Sequence, residues 1–143
     1  MLDCDDDKLM GRIMELQNIR IMLVEDNPVD VAFTRRLLSH NKLNKDLIIA
    51  LNSREAFSIL ESLDTQSRLP DLILLDINLP DASGIDLLRK FKDDLRFRDI
   101  AVVILTRSNV DDDIQRSYDL GAKTYLVKPI SNQALKGVLE QLF

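Results

Sequence analysis

Apolar and polar positions alternate in blocks along the chain, and the blocks predict strands and helices in regular succession. Five short apolar runs each end in polar or turn-forming residues, at 19–25, 46–51, 72–76, 100–105 and 123–127. Runs of this kind are typical of strands that are buried on both faces of a parallel sheet. Because a helical pattern follows each run, the chain predicts five β-α units with right-handed crossovers and helices on both faces of the sheet.

The segments between the runs place apolar residues at helical spacing. Asn27 and Pro28 suit the N-cap and the first residue of the first helix, Ser53 is predicted to cap the second, and Ser131 to start the last. We expect His40, among polar neighbours in the following linker, to be a solvated surface residue. The residues predicted to face the core are Val29, Ala32, Phe33 and Leu37, then Ala56, Ile59, Leu60 and Leu63, then Leu87, Leu88 and Phe91, and finally Leu135, Val138, Leu139 and Leu142.

Length and composition narrow the class of protein. The 143 residues suffice for one domain with a real core, which we place at 19–143 after a tail or short helix at 1–18. No apolar run approaches the ~20 residues that span a bilayer, and the acidic start is unlike a signal peptide. The single cysteine, Cys4, excludes an intrachain disulfide and suits the cytoplasm. The net charge of −5 argues against direct binding of nucleic acid.

Polar side chains stand at the carboxyl ends of four predicted strands: Glu25 with Asp26, then Asp76, Thr106 and Lys128. Each alone has an ordinary structural explanation, since carboxylates cap turns and favour helix N-termini. In one parallel sheet, however, these ends meet at a single edge, where open α/β sheets bind ligands. Neither G-x-G-x-x-G nor G-x-x-x-x-G-K-[ST] occurs, so a dinucleotide or Walker-type phosphate site is not supported. We therefore predict a functional site built from these side chains.

The same residues belong to a set of motifs that resembles the receiver domain of two-component response regulators. The motifs are Val24-Glu25-Asp26-Asn27-Pro28, Leu74-Leu75-Asp76-Ile77-Asn78-Leu79-Pro80 followed by Gly84, Leu105-Thr106, and Tyr125-Leu126-Val127-Lys128-Pro129. The resemblance covers 19–143, and 25–30 is similar to small single-domain receivers that partner phytochrome-type or other hybrid histidine kinases. It implies a flavodoxin-like, doubly wound (βα)5 fold with strand order 2-1-3-4-5. It also implies a cis peptide bond between Lys128 and Pro129.

The resemblance implies a role for each residue of the site. Asp76 would accept a phosphoryl group, and Lys128 would contact a phosphoryl oxygen. Asp26, Asp76 and the backbone carbonyl of Asn78 would bind Mg²⁺ directly, with Glu25 bound through water. Physical chemistry supports the metal independently, because three converging carboxylates repel one another without a cation. Mg²⁺ in turn prefers carboxylates, water and phosphate oxygens.

An output through protein contacts is also implied. Thr106 would be drawn towards the phosphate, which leaves space for Tyr125 to turn inward and repack the face formed by the fourth helix, fifth strand and fifth helix. The same face is predicted to form any homodimer, with Tyr118 and Phe143 as candidate apolar contacts. The implied partners are a sensor histidine kinase or a histidine phosphotransfer protein, and a downstream protein target. We expect no DNA-binding output domain and no enzyme activity on a separate substrate.

Two other functions stay open. A hydrolase of the haloacid-dehalogenase type also uses a strand-end aspartate, but such enzymes usually carry a second aspartate where this chain has Asn78. A receiver-like interaction module would never take phosphate, and the intact set of Glu25, Asp26, Asp76 and Lys128 argues against it. Mg²⁺-dependent incorporation of a single phosphoryl group would separate the three functions.

Two residues depart from the family's pattern. Arg107 follows Thr106 where a small residue is common, and Ser83 precedes Gly84 where aspartate or asparagine is common. Arg107 would stand at the mouth of the path by which water attacks an aspartyl phosphate. It could block that water, pair with phosphoryl oxygens, which arginine matches well, or point into solvent without effect. Ser83 should matter little.

Overall fold

The computed structural model describes residues 18–107 and 111–143. The predictions for Cys4 and for the tail before residue 18 lie outside these residues. The strands are β1 (Ile21–Val24), β2 (Ile48–Ala50), β3 (Leu72–Asp76), β4 (Ala101–Thr106) and β5 (Thr124–Val127). The helices are α1 (Pro28–His40), α2 (Ser53–Thr65), α3 (Gly84–Asp93), α4 (Asp111–Asp119) and α5 (Asn132–Leu142).

All neighbouring strands pair in parallel, in the order β2-β1-β3-β4-β5, which confirms the predicted sheet. The register aligns the strand ends. Val24 lies opposite Leu75, so that Glu25 and Asp76 follow at neighbouring positions of the same edge. Thr106 lies opposite Val127, the residue before Lys128. The parallel register thus brings the four predicted polar features to one edge of the sheet.

Two apolar layers cover the two faces of the sheet, as a doubly wound fold requires. On one face, α1 and α5 pack over strand residues such as Leu23 and Leu74. On the other face, α2 and α3 pack over residues such as Met22 and Ile73, with α4 beside α3. Among the described residues, no helix is long and apolar enough to cross a membrane.

Of the four residues predicted to face inward on α1, Leu37 packs against the core as expected, but the prediction was wrong for Val29, Ala32 and Phe33. Val29 and Phe33 are 74% and 46% exposed, while α1 buries Thr34 and Leu38. The reason is that the inward stripe begins with a polar residue, Asp30, which pairs with Lys128 at the edge of the sheet. Positions 30, 34 and 38 are spaced by four and share one side of the helix. A pattern that counts only apolar residues cannot detect such a stripe.

The start of α2 also differs from the prediction. Asn52 is the N-cap, and its side-chain oxygen accepts a hydrogen bond of 2.8 Å from the Glu55 backbone N–H. Ser53 is the first helical residue, and its side chain donates to Asp81 at 2.8 Å. Both asparagine and serine are good caps, and the competing partner Asp81 decides between them. His40 lies at the end of α1 rather than in a linker, and it is exposed as expected.

Candidate functional site

Three carboxylates converge where β1 and β3 end. Glu25, Asp26 and Asp76 each offer an oxygen, and these oxygens lie within 4.8 Å of one another. Glu25 and Asp76 are 0% and 5% exposed, whereas Asp26 is exposed. Carboxylate oxygens are the hard ligands that Mg²⁺ prefers, and the exposed Asp26 leaves one side open to water. The donor set therefore fits a divalent cation, as the sequence predicted.

Lys128 occupies the centre of this cluster. Its Nζ donates a hydrogen bond to Glu25 Oε1, and it lies 3.3 Å from Asp30 Oδ2 and 3.4 Å from Asp76 Oδ1. The lysine side chain is only 7% exposed. The Lys128-Pro129 peptide bond is cis, which confirms the prediction. An ammonium group thus lies within contact distance of the carboxylate that is the candidate acceptor.

The charges of the cluster shift one another's protonation. Burial raises the pKa of Glu25 to about 7 from 4.5, and Asp76 adds to the rise while Lys128 opposes it. Burial alone would lower the pKa of Lys128, but the hydrogen bond to Glu25 and the charge of Asp76 outweigh it and raise the pKa. Such mutual shifts are expected where carboxylates crowd together. The crowding of negative charge is what a bound cation would relieve.

The loop after β3 holds Asp76 from the other side. The Asn78 backbone N–H donates to Asp76 Oδ1 at 3.3 Å, and Asn78 pairs with Ser83 in an isolated antiparallel bridge. Gly84 begins α3 in backbone contact with Asp76, where an added Cβ would overlap the Asp76 backbone oxygen. The glycine of the sequence motif is therefore required by space. Ser83 caps α3 by accepting a bond of 3.2 Å from the Ile85 N–H.

The two residues of the predicted switch lie on β4 and β5. Thr106 ends β4 and is 6% exposed. Tyr125 is half-buried and lies opposite Ile104, two residues before Thr106 on the same face of the sheet. The Tyr125 ring meets the ring of Tyr118 edge to face, with centroids 6.4 Å apart. The two switch residues are therefore diagonal neighbours on adjacent strands, and Tyr125 contacts Tyr118 of α4.

Asp30 is a site residue to which the sequence assigned no role. Its Oδ2 accepts a hydrogen bond of 2.5 Å from Arg107 Nη2 and also faces Lys128. Burial would raise the pKa of Asp30, but Lys128 and then Arg107 outweigh it and hold the pKa below its usual value. Arg107 is thus paired with Asp30 across the mouth of the site, while its side chain stays 62% exposed. The only sequence signal was a carboxylate on the stripe of Thr34 and Leu38.

An open depression joins these groups. It has a volume of about 290 Å³ and is lined by Asp26, Asp30, Asp76, Asn78, Arg107 and Lys128. The predicted acceptor Asp76 and the predicted metal ligands Asp26 and Asn78 line it. Glu25 does not line it but is buried in contact with Lys128. A flavodoxin-like sheet with a buried acidic cluster, a strand-end aspartate and a lysine on a cis-proline turn defines a receiver-type signalling domain.

Comparison with known families agrees with this class. The family model of the response regulator receiver domain matches residues 21–140, and the chain belongs to this family. The family places the protein in two-component signal transduction.

Three relatives show how far the similarity extends. Response regulator Rcp1 of Synechocystis is 36% identical over 110 residues, 76% of this chain and 75% of that protein. The polar-differentiation response regulator DivK of Brucella ovis is 37% identical over 114 residues, 78% of this chain and 85% of that protein. The structure of the phosphorylated cyanobacterial phytochrome response regulator RcpA matches with a TM-score of 0.73 at 32% identity, covering 87% of this chain and 90% of that one. A Mn²⁺-bound structure of Rcp1 matches with a TM-score of 0.70 at 32% identity, covering 87% and 88%.

Proposed function

We propose that this receiver takes a phosphoryl group onto Asp76 from a histidine kinase or a histidine phosphotransfer protein. The observation that carries the proposal is the buried Asp76 carboxylate, 3.4 Å from Lys128 and within a cluster of acidic ligands. A bond forms between a carboxylate oxygen of Asp76 and phosphorus, while the bond from phosphorus to the donor imidazole nitrogen breaks. That nitrogen keeps the electron pair of the broken bond. Lys128 is positioned to meet the charge on the phosphoryl oxygens.

A divalent cation, Mg²⁺, completes the proposed site. Asp26 and Asp76 would bind it directly together with the backbone carbonyl of Asn78, and Glu25 would bind it through water. The convergence of three carboxylate oxygens supports this assignment, as does the Mn²⁺-bound form of the relative Rcp1. When bound, the cation supplies positive charge to the acceptor carboxylate and to the phosphoryl oxygens. The Lys128 ammonium group and the buried Glu25 carboxylate form an ion pair beside the proposed cation position.

The output proposed for this domain is a conformational change read by another protein. Thr106 ends β4 at the acceptor edge, so its hydroxyl is placed to turn towards a phosphoryl oxygen. Tyr125 would then repack between β5 and α4, and its edge-to-face contact with Tyr118 would change. On this proposal the domain catalyses only the gain and loss of its own phosphoryl group. It signals in the cytoplasm, for which the single cysteine is the supporting feature.

The phosphoryl donor has a candidate docking surface on α1. Val29, Ala32, Phe33 and Leu37 form an apolar strip, which we term the α1 surface, beside a depression of about 470 Å³. Val29 and Phe33 also line a second depression that reaches Lys128. A donor histidine must come within bonding distance of Asp76, so its protein must rest on the surface around the site. The continuity of the α1 surface with the site supports a phosphodonor as its occupant.

A homodimer, where one forms, is proposed to use the face of α4, β5 and α5. Tyr118 and Phe143 are 42% and 39% exposed, and Val127 at the end of β5 is 38% exposed. Of these groups, Tyr118 contacts the Tyr125 ring directly, so a change in Tyr125 on phosphorylation would alter this face. The oligomeric state before and after phosphorylation, measured by light scattering on wild type and Tyr118→Ala, tests this assignment.

The decisive experiment is Mg²⁺-dependent labelling by a small phosphoryl donor such as acetyl phosphate. Intact-mass spectrometry should show one added phosphoryl group, and peptide mapping should place it on Asp76. Asp76→Asn should abolish the label with an unchanged circular dichroism spectrum. Asp86→Asn, which changes an exposed carboxylate on α3, is the matched control and should label like wild type.

Other results would contradict the proposal. A label of wild-type size that persists in Asp76→Asn refutes the acceptor. Release of phosphate from a phosphoester in large excess over protein indicates a hydrolase, and absence of any label with intact Mg²⁺ binding indicates an interaction module.

A further inference from the structure

The ion pairs around Asp30 form a chain across the mouth of the site. Lys128 Nζ lies 3.3 Å from Asp30 Oδ2, and Arg107 Nη2 lies 2.5 Å from the same oxygen. One carboxylate oxygen therefore binds both cations that border the depression above Asp76. Neither of these pairs connects neighbours in sequence, since they join α1 to the residues that follow β4 and β5.

The ammonium group of Lys128 is already shared among several carboxylates in this arrangement. An ammonium group has three N–H donors. Within contact distance of Nζ lie three carboxylates, those of Glu25, Asp30 and Asp76. A phosphoryl group on Asp76 adds oxygens that also require Lys128. The hydrogen bonds of Lys128 to Glu25 and Asp30 therefore compete with those phosphoryl oxygens for its N–H donors.

Asp30 is the partner that Lys128 can release most easily. The Glu25 side chain is 1% exposed, so breaking its pair would leave a buried carboxylate without its counterion. The Asp30 side chain is 17% exposed and stands in the first turn of α1, where water and the helix dipole can stabilise its charge. Arg107, 62% exposed, can likewise turn from Asp30 to a phosphoryl oxygen at little cost.

We propose that Asp30 is a positioning residue that holds Lys128 and Arg107 in the unphosphorylated protein and yields both to a phosphoryl group on Asp76. This inference rests on the proposed function. Asp30 competes with the phosphoryl group for the same two cations. It therefore makes the phosphorylated state of Asp76 less stable than it would be without this competition. The ion pair with Asp30 holds Arg107 beside the site, and Arg107 binds a phosphoryl oxygen only after this ion pair breaks.

The test uses beryllofluoride, a stable mimic of the phosphoryl group, with the full chain in saturating Mg²⁺. Asp30→Asn keeps the shape of the side chain and removes its charge. Its affinity for beryllofluoride should rise about fivefold, the size expected for the loss of a partly exposed competing ion pair. Asp86→Asn removes one charge from the first turn of α3 without touching either cation, and its affinity should equal that of wild type.

A double-mutant cycle with Arg107→Ala separates competition from simple repulsion. If Asp30 acts in part by holding Arg107, Asp30→Asn should gain at most half as much affinity in the Arg107→Ala background. If Asp30 only repels an incoming anion through space, the gain will be equal in both backgrounds. A second measurement needs neither Mg²⁺ nor beryllofluoride. NMR of the nitrogen-labelled Arg107 side chain should show greater mobility in Asp30→Asn than in wild type.

Each outcome has one meaning. Beryllofluoride binding to wild type with no gain in Asp30→Asn, or with an equal gain in both backgrounds, overturns the role of Asp30 and leaves the acceptor assignment intact. Failure of wild type to bind beryllofluoride, or binding that survives in Asp76→Asn, overturns the acceptor assignment and this inference together. A gain that is present in wild type and at least halved by Arg107→Ala establishes the competition.

Discussion

Helices α1 and α3 both begin beside Asp76 at the same edge of the sheet, yet they use their apolar residues in opposite ways. Helix α3 buries Ile85, Leu87, Leu88 and Phe91 in the core. Helix α1 buries only Thr34 and Leu38 and leaves Val29 and Phe33 largely exposed. Helix α3 concentrates its apolar residues on one side, whereas α1 carries apolar residues on more than one side, so their spacing in α1 does not say which side faces the core.

The difference follows from how each helix is fixed at its start. Helix α3 starts at Gly84 in backbone contact with Asp76, which leaves its whole apolar side over the sheet. Helix α1 is oriented by the charge pair between Asp30 and Lys128, which turns its apolar strip outward. We infer that α3 contributes mainly to stability, whereas α1 presents surface to a partner.

The largest expected effect is on stability, and it should come from the apolar side of α3 and not from the α1 surface. Phe91 is fully buried between Phe57 and Phe97, so Phe91→Ala should lower the free energy of unfolding by about 3–5 kcal/mol. Phe33→Ala removes the same side chain from an exposed position and should cost less than about 1 kcal/mol. Urea unfolding followed by circular dichroism measures both. Equal losses for the two variants would remove the distinction between the helices.

The sequence predicted most of the fold because burial on both faces and the β-α alternation leave a strong apolar signal. The meeting of Glu25, Asp76 and Lys128 at one edge follows from a parallel sheet, whereas the strand order was implied by the resemblance to receiver domains and not by the apolar pattern. The pairing of Asp30 with Arg107 could not be predicted, because the two residues are 77 positions apart and either side chain suits solvent. Polar contacts of this kind depend on final side-chain positions, which apolar periodicity does not encode.

The second prediction concerns the α1 surface as a docking site. Phe33→Ala should slow phosphoryl transfer from a histidine phosphotransfer protein or kinase about tenfold, the loss expected for one apolar anchor of an interface. Uptake from acetyl phosphate should be unchanged, because a small donor needs no docking surface. Rates from both donors, measured on one preparation, give the comparison.

Leu95→Ala is the control for the second prediction, since Leu95 is an exposed apolar residue that follows α3, a helix on the other face of the sheet from α1, and is 76% exposed. It should transfer at the wild-type rate from both donors. A Phe33→Ala variant that slows both donors equally would show that α1 affects the acceptor chemistry rather than docking.

The smallest expected effect sharpens the account of how α3 is fixed. Asp81, in the loop that leads into α3, accepts hydrogen bonds from the Ser53 N–H and side chain at 2.9 and 2.8 Å and from the Arg54 N–H at 3.0 Å. The loop is thereby tied to the start of α2. These bonds lower the pKa of Asp81 from 3.8 to about 2, with those from Ser53 contributing most.

Because the folded state lowers this pKa, the ionised Asp81 stabilises the fold above about pH 3.8, and that contribution disappears as the pH falls through about 2. Asp81→Asn should therefore lower the melting temperature modestly at neutral pH, since Asp81 is exposed, and the difference from wild type should shrink as the solution is acidified. Thermal unfolding across this pH range measures the difference. If the difference in melting temperature between the two proteins stays constant with pH, the Asp81 carboxylate does not hold the α3 loop through its charge. The position of the start of α3 would then depend on Gly84 and the apolar side of the helix alone.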